Sequence, residues 1–400
     1  MLAAMLYLFY FLVVEQILQG FYSLWQGIQW SQMARRRLET PPGFYQPRVA
    51  LFCPVKGLEP GLEQNLTALT EFDYMHYEIF FAVASSDDPA CRLLERIAAS
   101  TERPVHIVCA GRPRDCGEKV HNLRTAVERA GGEFDVFVFT DSDGRPPRRW
   151  LVHLVAPLEE SRLGAATTFR WLLPRRGFWS ALTSAWNAPI VTFLGEHRHN
   201  FCWGGGTAIR YERFQEIRAL EGWAGSVSDD FSLTQALWRA GFEIAFVPEC
   251  LVPSLVETNA HGLFEFTNRQ FVITRVYAPK IWFQAALGCV LYCAAVLLGI
   301  GLWTTLLLAG LPSVHLLLLA LMPPLLCAGR GAMRLAAVLD LLPEWRQKLL
   351  ASGWAWTLLA PLVPFVVLCN VLVAAFRRKI LWRGTRYLLV SSGKTQIVAR

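Results

Sequence analysis

The stretch "DVFVFTDSDGRPPRRW", residues 135–150, decides the fold. An unbroken apolar run, Val136–Phe139, ends at two carboxylates one residue apart, Asp141 and Asp143, followed by Gly144, Pro146 and Pro147. A short apolar run closed by turn residues is the pattern of a strand buried on both faces of a parallel sheet. In such sheets ligands bind beyond the carboxyl ends of the strands. Side chains two apart on an extended segment point the same way, so Asp141 and Asp143 face one ligand together. Paired carboxylates require a hard divalent cation or a hydrogen-bond donor, and Mg2+ or Mn2+ keeps coordination positions open for phosphate oxygens. Taken alone, an Asx-type turn closed by Gly144 is the commoner use of these residues.

The surroundings repeat the pattern. Val49–Cys53, Glu78–Val83, Val105–Val108 and Asp135–Thr140 read as strands, separated by helices near 61–71, 89–100 and 119–130. Strands alternating with helices imply an α/β domain with a parallel sheet covered on both faces. The loops after these strands carry Ser85-Ser86-Asp87-Asp88-Pro89, then Gly111 to Lys119, then the opening acids. Further on, Ser228-Asp229-Asp230 enters a helix expected over 231–240. One of these residues can cap the helix while the other points into the cleft as a general base. Upstream, Trp203-Gly204-Gly205-Gly206-Thr207 lets backbone approach a ligand closely.

Toward both ends the composition changes. The 400-residue chain is 53% hydrophobic, and residues 281–329 and 349–376 contain no Asp, Glu, Lys or Arg. A bilayer core takes about 20 apolar helical residues, so the first stretch fits two spans joined at Gly310, Pro312 and Ser313. The second fits one span, bent at Pro361 and Pro364. Residues 1–34 carry only Glu15 and are followed by Arg35-Arg36-Arg37, the signature of an uncleaved anchor with its N-terminus outside. Counting spans from there puts the basic tail on the side opposite Arg35. One C-terminal segment is therefore expected to be re-entrant or interfacial, and residues 330–350 to lie along the surface. The expected organisation is an anchor over 1–34, a cytoplasmic catalytic domain over 35–280, membrane and interfacial helices over 281–380, and a basic tail over 381–400. The ten cysteines have no CxxC spacing, so neither zinc nor disulfides are expected. The net charge of +7 gathers beside the apolar stretches, and no basic–aromatic ladder points to nucleic acid.

Six segments in order carry a resemblance. Asp87/Asp88, Asp141-x-Asp143 and Asp229-Asp230 resemble the three acidic motifs of GT-A-fold glycosyltransferases of the family 2 and family 21 type. "CPVKGLEPGLEQNL" (53–66), "YEIFFAVASSDDPA" (77–90), "EKVHNL" (118–123), "SDDFSLTQALWRAGFEIAFVP" (228–248) and "ILWRGTRYLLVSSGKTQIV" (380–398) are similar to ceramide glucosyltransferases and bacterial hopanoid-type glycosyltransferases. The resemblance implies a GT-A-type, Rossmann-like catalytic domain inserted between transmembrane helices, multi-pass in a bacterial inner membrane. It implies transfer of a hexose from a UDP-sugar to a lipid hydroxyl, such as that of ceramide, with inversion.

By the same resemblance Asp87 or Asp88 holds the nucleoside, and Asp141 and Asp143 bind the diphosphate through Mg2+ or Mn2+. Lys119 and Asp229 lie at the donor, and Asp230 is the catalytic base. The family also has a Gln or Arg, two residues, then Arg-Trp. Here Arg269 or Gln270 fills the first position, Val272-Ile273 replace Arg-Trp, and Arg275 lies nearby. His197 and His199 are candidate acceptor contacts, and Trp382-Arg383 belongs to the site in relatives. Two other readings compete: a polysaccharide synthase would need more spans and the Arg-Trp motif. A transporter would need intramembrane charge, where residues 281–329 offer only His315.

Overall fold

The structure, a computed structural model, describes residues 2–196 and 198–399. The candidate His197 lies outside the described residues. The chain forms two compact units. One is α/β and comprises residues 36–171, 193–255 and 378–400. The other is helical and comprises residues 1–35, 172–192 and 256–377.

The strands are β1 Val49–Pro54, β2 Tyr77–Val83, β3 Val105–Cys109, β4 Val136–Thr140, β5 Leu163–Thr167 and β6 Arg170–Pro174. They continue with β7 Gly206–Arg210, β8 Glu243–Phe246, β9 Val252–Val256, β10 Lys379–Trp382, β11 Thr385–Ser391 and β12 Lys394–Ala399. Seven make one sheet in the order β3-β2-β1-β4-β7-β5-β8. β1 to β4 run parallel, and β7 runs antiparallel to both β4 and β5. Alternation along the central strands builds two cores. Val49, Leu51, Ile79, Phe81, Val136 and Val138 pack on one face with the helices Leu62–Thr70 and Cys91–Ala99. Ala50, Phe52, Phe80, Phe137 and Phe139 pack on the other with Glu118–Ala130 and Asp229–Arg239. Each such side chain contributes about 1.5–3 kcal/mol by burial, which accounts for an apolar run without interruption. The four expected strands and three expected helices of this half are present. β3 is the edge strand and is correspondingly the least buried of the four.

In the helical unit, Leu2–Glu39, Pro279–Leu308, Val314–Leu341 and Gly353–Phe376 are long and apolar enough to cross a membrane. The first passes the expected end at residue 34. The third corrects a second expectation: residues 330–341 continue the helix instead of lying along a surface. Gly331, Arg334, Ala337, Val338 and Leu341 keep its buried stripe going to the end. The last helix breaks where its prolines predicted, with a 3-10 turn at Ala360–Leu362. The freed carbonyls of Ala360 and Pro361 accept from Cys327 Sγ at 3.3 Å and Tyr292 Oη at 3.1 Å.

The units do not follow the expected domain boundaries. Helix Phe178–Asn187 and helix Ala260–Tyr277 join the helical unit because they pack on Gly353–Phe376 through buried polar bonds. Fully buried Asn370 donates to Thr267 and Asn268 and accepts from Trp186 Nε1 at 3.1 Å, and Trp356 Nε1 donates to Ser184 Oγ at 2.8 Å. The segment expected as a basic tail forms the antiparallel sheet β10-β11-β12 within the α/β unit.

Candidate active site

β4 delivers Asp141 and Asp143 just beyond its last residue, Thr140. Antiparallel pairing sets Thr140 opposite Gly206, so the turn Trp203–Gly206 closes against the same strand end. Lys119, in the first turn of helix Glu118–Ala130, reaches into this corner. Its Nζ lies 2.8 Å from Asp141 Oδ1 and 3.2 Å from Asp229 Oδ1, and donates to the Gly204 carbonyl at 3.3 Å. A Cβ on Gly204 would sit 2.6 Å from both Lys119 Nζ and Asp229 Oδ2, and one on Gly205 would sit 2.8 Å from Asp141 Oδ2. The glycines therefore make room for the charged cluster itself; the sequence suggested only close backbone approach to a ligand.

The three charges tune one another. Burial raises the Asp141 carboxyl, but the adjacent Lys119 ammonium outweighs it and carries the pKa below the usual Asp value. Asp229, only 5% exposed, is pushed up to about 6: burial raises it, Lys119 only partly compensates, and Asp230 and Asp141 repel its charge. Burial disfavours the Lys119 ammonium, yet the carboxylates of Asp141, Asp229 and Asp230 reverse this and raise its pKa.

Asp143 turns toward Arg170, whose Nη1 donates to its Oδ2 at 2.8 Å. Its other oxygen, Oδ1, is buried without a hydrogen-bond partner among the described residues. Ser142-Asp143 forms a turn, but among the described residues neither Asp141 nor Asp143 accepts from a neighbouring backbone N–H, so the side chains are turned to Lys119 and Arg170 instead. Ser228 caps helix Asp229–Arg239, accepting from Phe231 N at 3.3 Å, and the helix thus begins two residues before its expected start. Asp230 Oδ1 accepts from Phe231 N at 2.7 Å and from Ser228 Oγ, which leaves Oδ2 without a hydrogen bond among the described residues. Asp88 ties two strand ends together by accepting from Gly57 N and Ala90 N, both at 2.9 Å, while Asp87 is exposed.

A model of glycosyl transferase family 21 matches residues 8–395. The chain belongs to that family. It is accordingly a glycosyltransferase, and its catalytic fold is the expected GT-A type. Similar solved structures include a mannosyltransferase from Pyrobaculum calidifontis in complex with GDP-Man and Mn2+, at 18% identity and a TM-score of 0.49. That match covers 91% of this chain and 96% of the other. A glucosyl-3-phosphoglycerate synthase from Mycobacterium tuberculosis in complex with phosphoglyceric acid is 20% identical over 57% of this chain and 79% of its own, with a TM-score of 0.38.

In this family 21 glycosyltransferase the last strands frame the acidic corner. Arg383 and Gly384 join β10 to β11 with φ of 46° and 82°, a two-residue hairpin turn with both central residues left-handed. Arg383 Nη1 donates to the Lys56 carbonyl at 3.0 Å, and Nη2 lies 2.7 Å from Glu59 Oε1. Tyr387 Oη accepts from Glu118 N at 3.3 Å, and Lys56 pairs with Glu118 at 2.9 Å. Trp382 is half-buried beside this turn, and His199 is exposed. Arg269, Gln270 and Arg275 lie on helix Ala260–Tyr277 of the helical unit. There Arg275 Nη1 donates to the Ala374 carbonyl at 2.6 Å and stacks on Trp282, while Arg269 lies over Phe266. Arg170 and Tyr387 escaped the sequence reading, because only tertiary pairing brings them to the site.

Proposed function

We propose that this family 21 enzyme transfers a hexose from a UDP-sugar to the hydroxyl of a membrane lipid, such as ceramide or a hopanoid-type lipid, by single inverting displacement. The Lys119–Asp141–Asp229 cluster carries the reading. It is a preassembled, largely buried charged corner at the end of β4, in a chain that also holds four helices able to span a bilayer. An acceptor held in the bilayer presents its hydroxyl at the interface and never needs to leave the membrane.

Asp141 and Asp143 suit a divalent cation. The unpartnered, buried Oδ1 of Asp143 is an oxygen with no other use, and two carboxylates leave the remaining positions to diphosphate oxygens and water. Bound there, Mg2+ or Mn2+ would neutralise charge on the departing diphosphate. Lys119 holds Asp141 in place and adds a fixed positive charge at the leaving group. Asp87 and Asp88 stand at the end of β2 for the nucleoside. Asp230 is the base: it is only half-buried and has a free Oδ2, whereas Asp229 is enclosed and held by Lys119. Asp230 Oδ2 takes the acceptor proton as the hydroxyl oxygen attacks the anomeric carbon, and UDP leaves from the opposite face.

Residues 36–171 and 378–400 belong to one compact unit, which supports a reading with both on one side of the membrane and an even number of crossings between them. In that reading Pro279–Leu308 and Val314–Leu341 are the two crossings and the broken helix over 353–376 is re-entrant. Arg35–Arg37 favour the cytoplasm for that side.

The test is turnover of radiolabelled UDP-sugar in membranes supplied with ceramide or hopanoid lipids, reading the product's mass. Asp230→Asn should lower turnover by about 10³-fold or more with unchanged folding. Near wild-type turnover in that variant would remove Asp230 as the base.

A further inference from the structure

Two arginines in the helical unit have no use in the chemistry above. Arg330 and Arg334 are one turn apart on helix Val314–Leu341, and so share a face. Arg334 is only 9% exposed, and the Nε atoms of both are buried without a hydrogen-bond partner among the described residues. No hydrogen bond or ion pair within the described residues involves either guanidinium. Asp340, the acid nearest along the helix, is already paired with Arg35 at 3.0 Å. Two like charges on one face of an apolar helix repel, and their burial is costly unless an anion sits between them.

The position of the pair says what kind of anion fits. At about 1.5 Å of rise per residue, Arg330 lies roughly 24 Å and Arg334 roughly 30 Å along the axis from Val314. A hydrocarbon core is about 30 Å thick, so a span starting near Val314 carries Arg334 to its far edge, at the end of the helix that also carries the Arg35–Asp340 pair. It leaves Arg330 about one turn inside, where a long side chain can snorkel to the phosphates. Guanidinium groups bind phosphate through paired N–H donors.

We propose that Arg330 and Arg334 form a clamp for the phosphate of an anionic membrane lipid, a binding site separate from donor and acceptor. The inference rests on the reading of the helices as membrane spans and is independent of which sugar or acceptor is used. It is tested on the full chain, purified in neutral detergent and stripped of lipid. Phosphatidylglycerol should raise the apparent melting temperature by about 4 °C or more. Phosphatidylcholine and millimolar inorganic phosphate should leave it unmoved, and the variant R330Q/R334Q should not respond. A response of the double variant equal to wild type overturns the clamp. So does equal protection by inorganic phosphate or by phosphatidylcholine. Should the double variant not fold, native mass spectrometry of the wild-type chain decides. Retention of phosphatidylglycerol over equally supplied phosphatidylcholine supports the site, and equal retention overturns it. Sugar-transfer assays do not enter this result, so its failure is distinct from failure of the catalytic reading.

Discussion

Buried charge is handled in opposite ways at the end of β4 and at the end of helix Val314–Leu341. In the α/β unit the acids of the corner meet cations: Asp141 and Asp229 share Lys119, and Asp143 Oδ2 meets Arg170. In the helical unit Arg330 and Arg334 are answered by nothing within the described residues. A corner cross-braced from within holds its geometry before substrate arrives, as electrostatic catalysis requires. A pair left unneutralised is stabilised by an anion that binds it.

The sharpest way to break this contrast is Lys119→Met. It strands two carboxylates in a buried corner and should cost about 3–5 kcal/mol of stability, read as a drop in apparent melting temperature. A variant as stable as wild type would mean that the cluster is not mutually supporting. Asp229→Asn comes next. The folded-state pKa of Asp229 is raised to about 6, so below that value the folded protein keeps a proton that the unfolded chain releases near 4. Its contribution is therefore full at acid pH and is lost as pH rises from about 4 through 6, a change of about 3 kcal/mol. Melting temperatures followed from pH 4 to 7 should lose that component in Asp229→Asn. Gly204→Ala should be milder, about 1–3 kcal/mol, because the new methyl pushes on the mobile tips of Lys119 and Asp229. Turnover should fall with it as the ion pairs lengthen. Smallest of all is Arg334→Met in lipid-free detergent. Removing an unanswered charge should leave the melting temperature unchanged or slightly higher, the opposite of Lys119→Met.

How legible each half was follows from the range of its interactions. Local pattern wrote β1 to β4 and their helices, since a strand buried on both faces leaves an unbroken apolar run. The acidic strand ends were legible for the same reason: Asp141 and Asp143 interrupt such a run. Partner choice was not legible. Arg170 stands 27 residues from Asp143 and reads in sequence as an ordinary strand residue. Nor did the glycine run 204–206 reveal that its missing side chains are occupied by Lys119, Asp229 and the Trp203 ring. The charges of residues 330–350 read as an amphipathic surface segment, whereas Arg334 lies on the buried stripe itself beside Gly331, Ala337, Val338 and Leu341. Boundaries failed where a soluble-looking helix, Phe178–Asn187, finds its packing partners more than 160 residues later.

The late strands set an order of events in biosynthesis. Tyr387 meets Glu118 across 269 residues, and Arg383 meets Lys56 across 327. Three of the four long apolar helices, Pro279–Leu308, Val314–Leu341 and Gly353–Phe376, are made between these partners. At translation rates of about 5–20 residues per second, the start of helix Glu118–Ala130 and the β1 loop wait roughly 15–65 seconds for their cover. The cover over the charged corner therefore closes only after the last of the long apolar helices has been made.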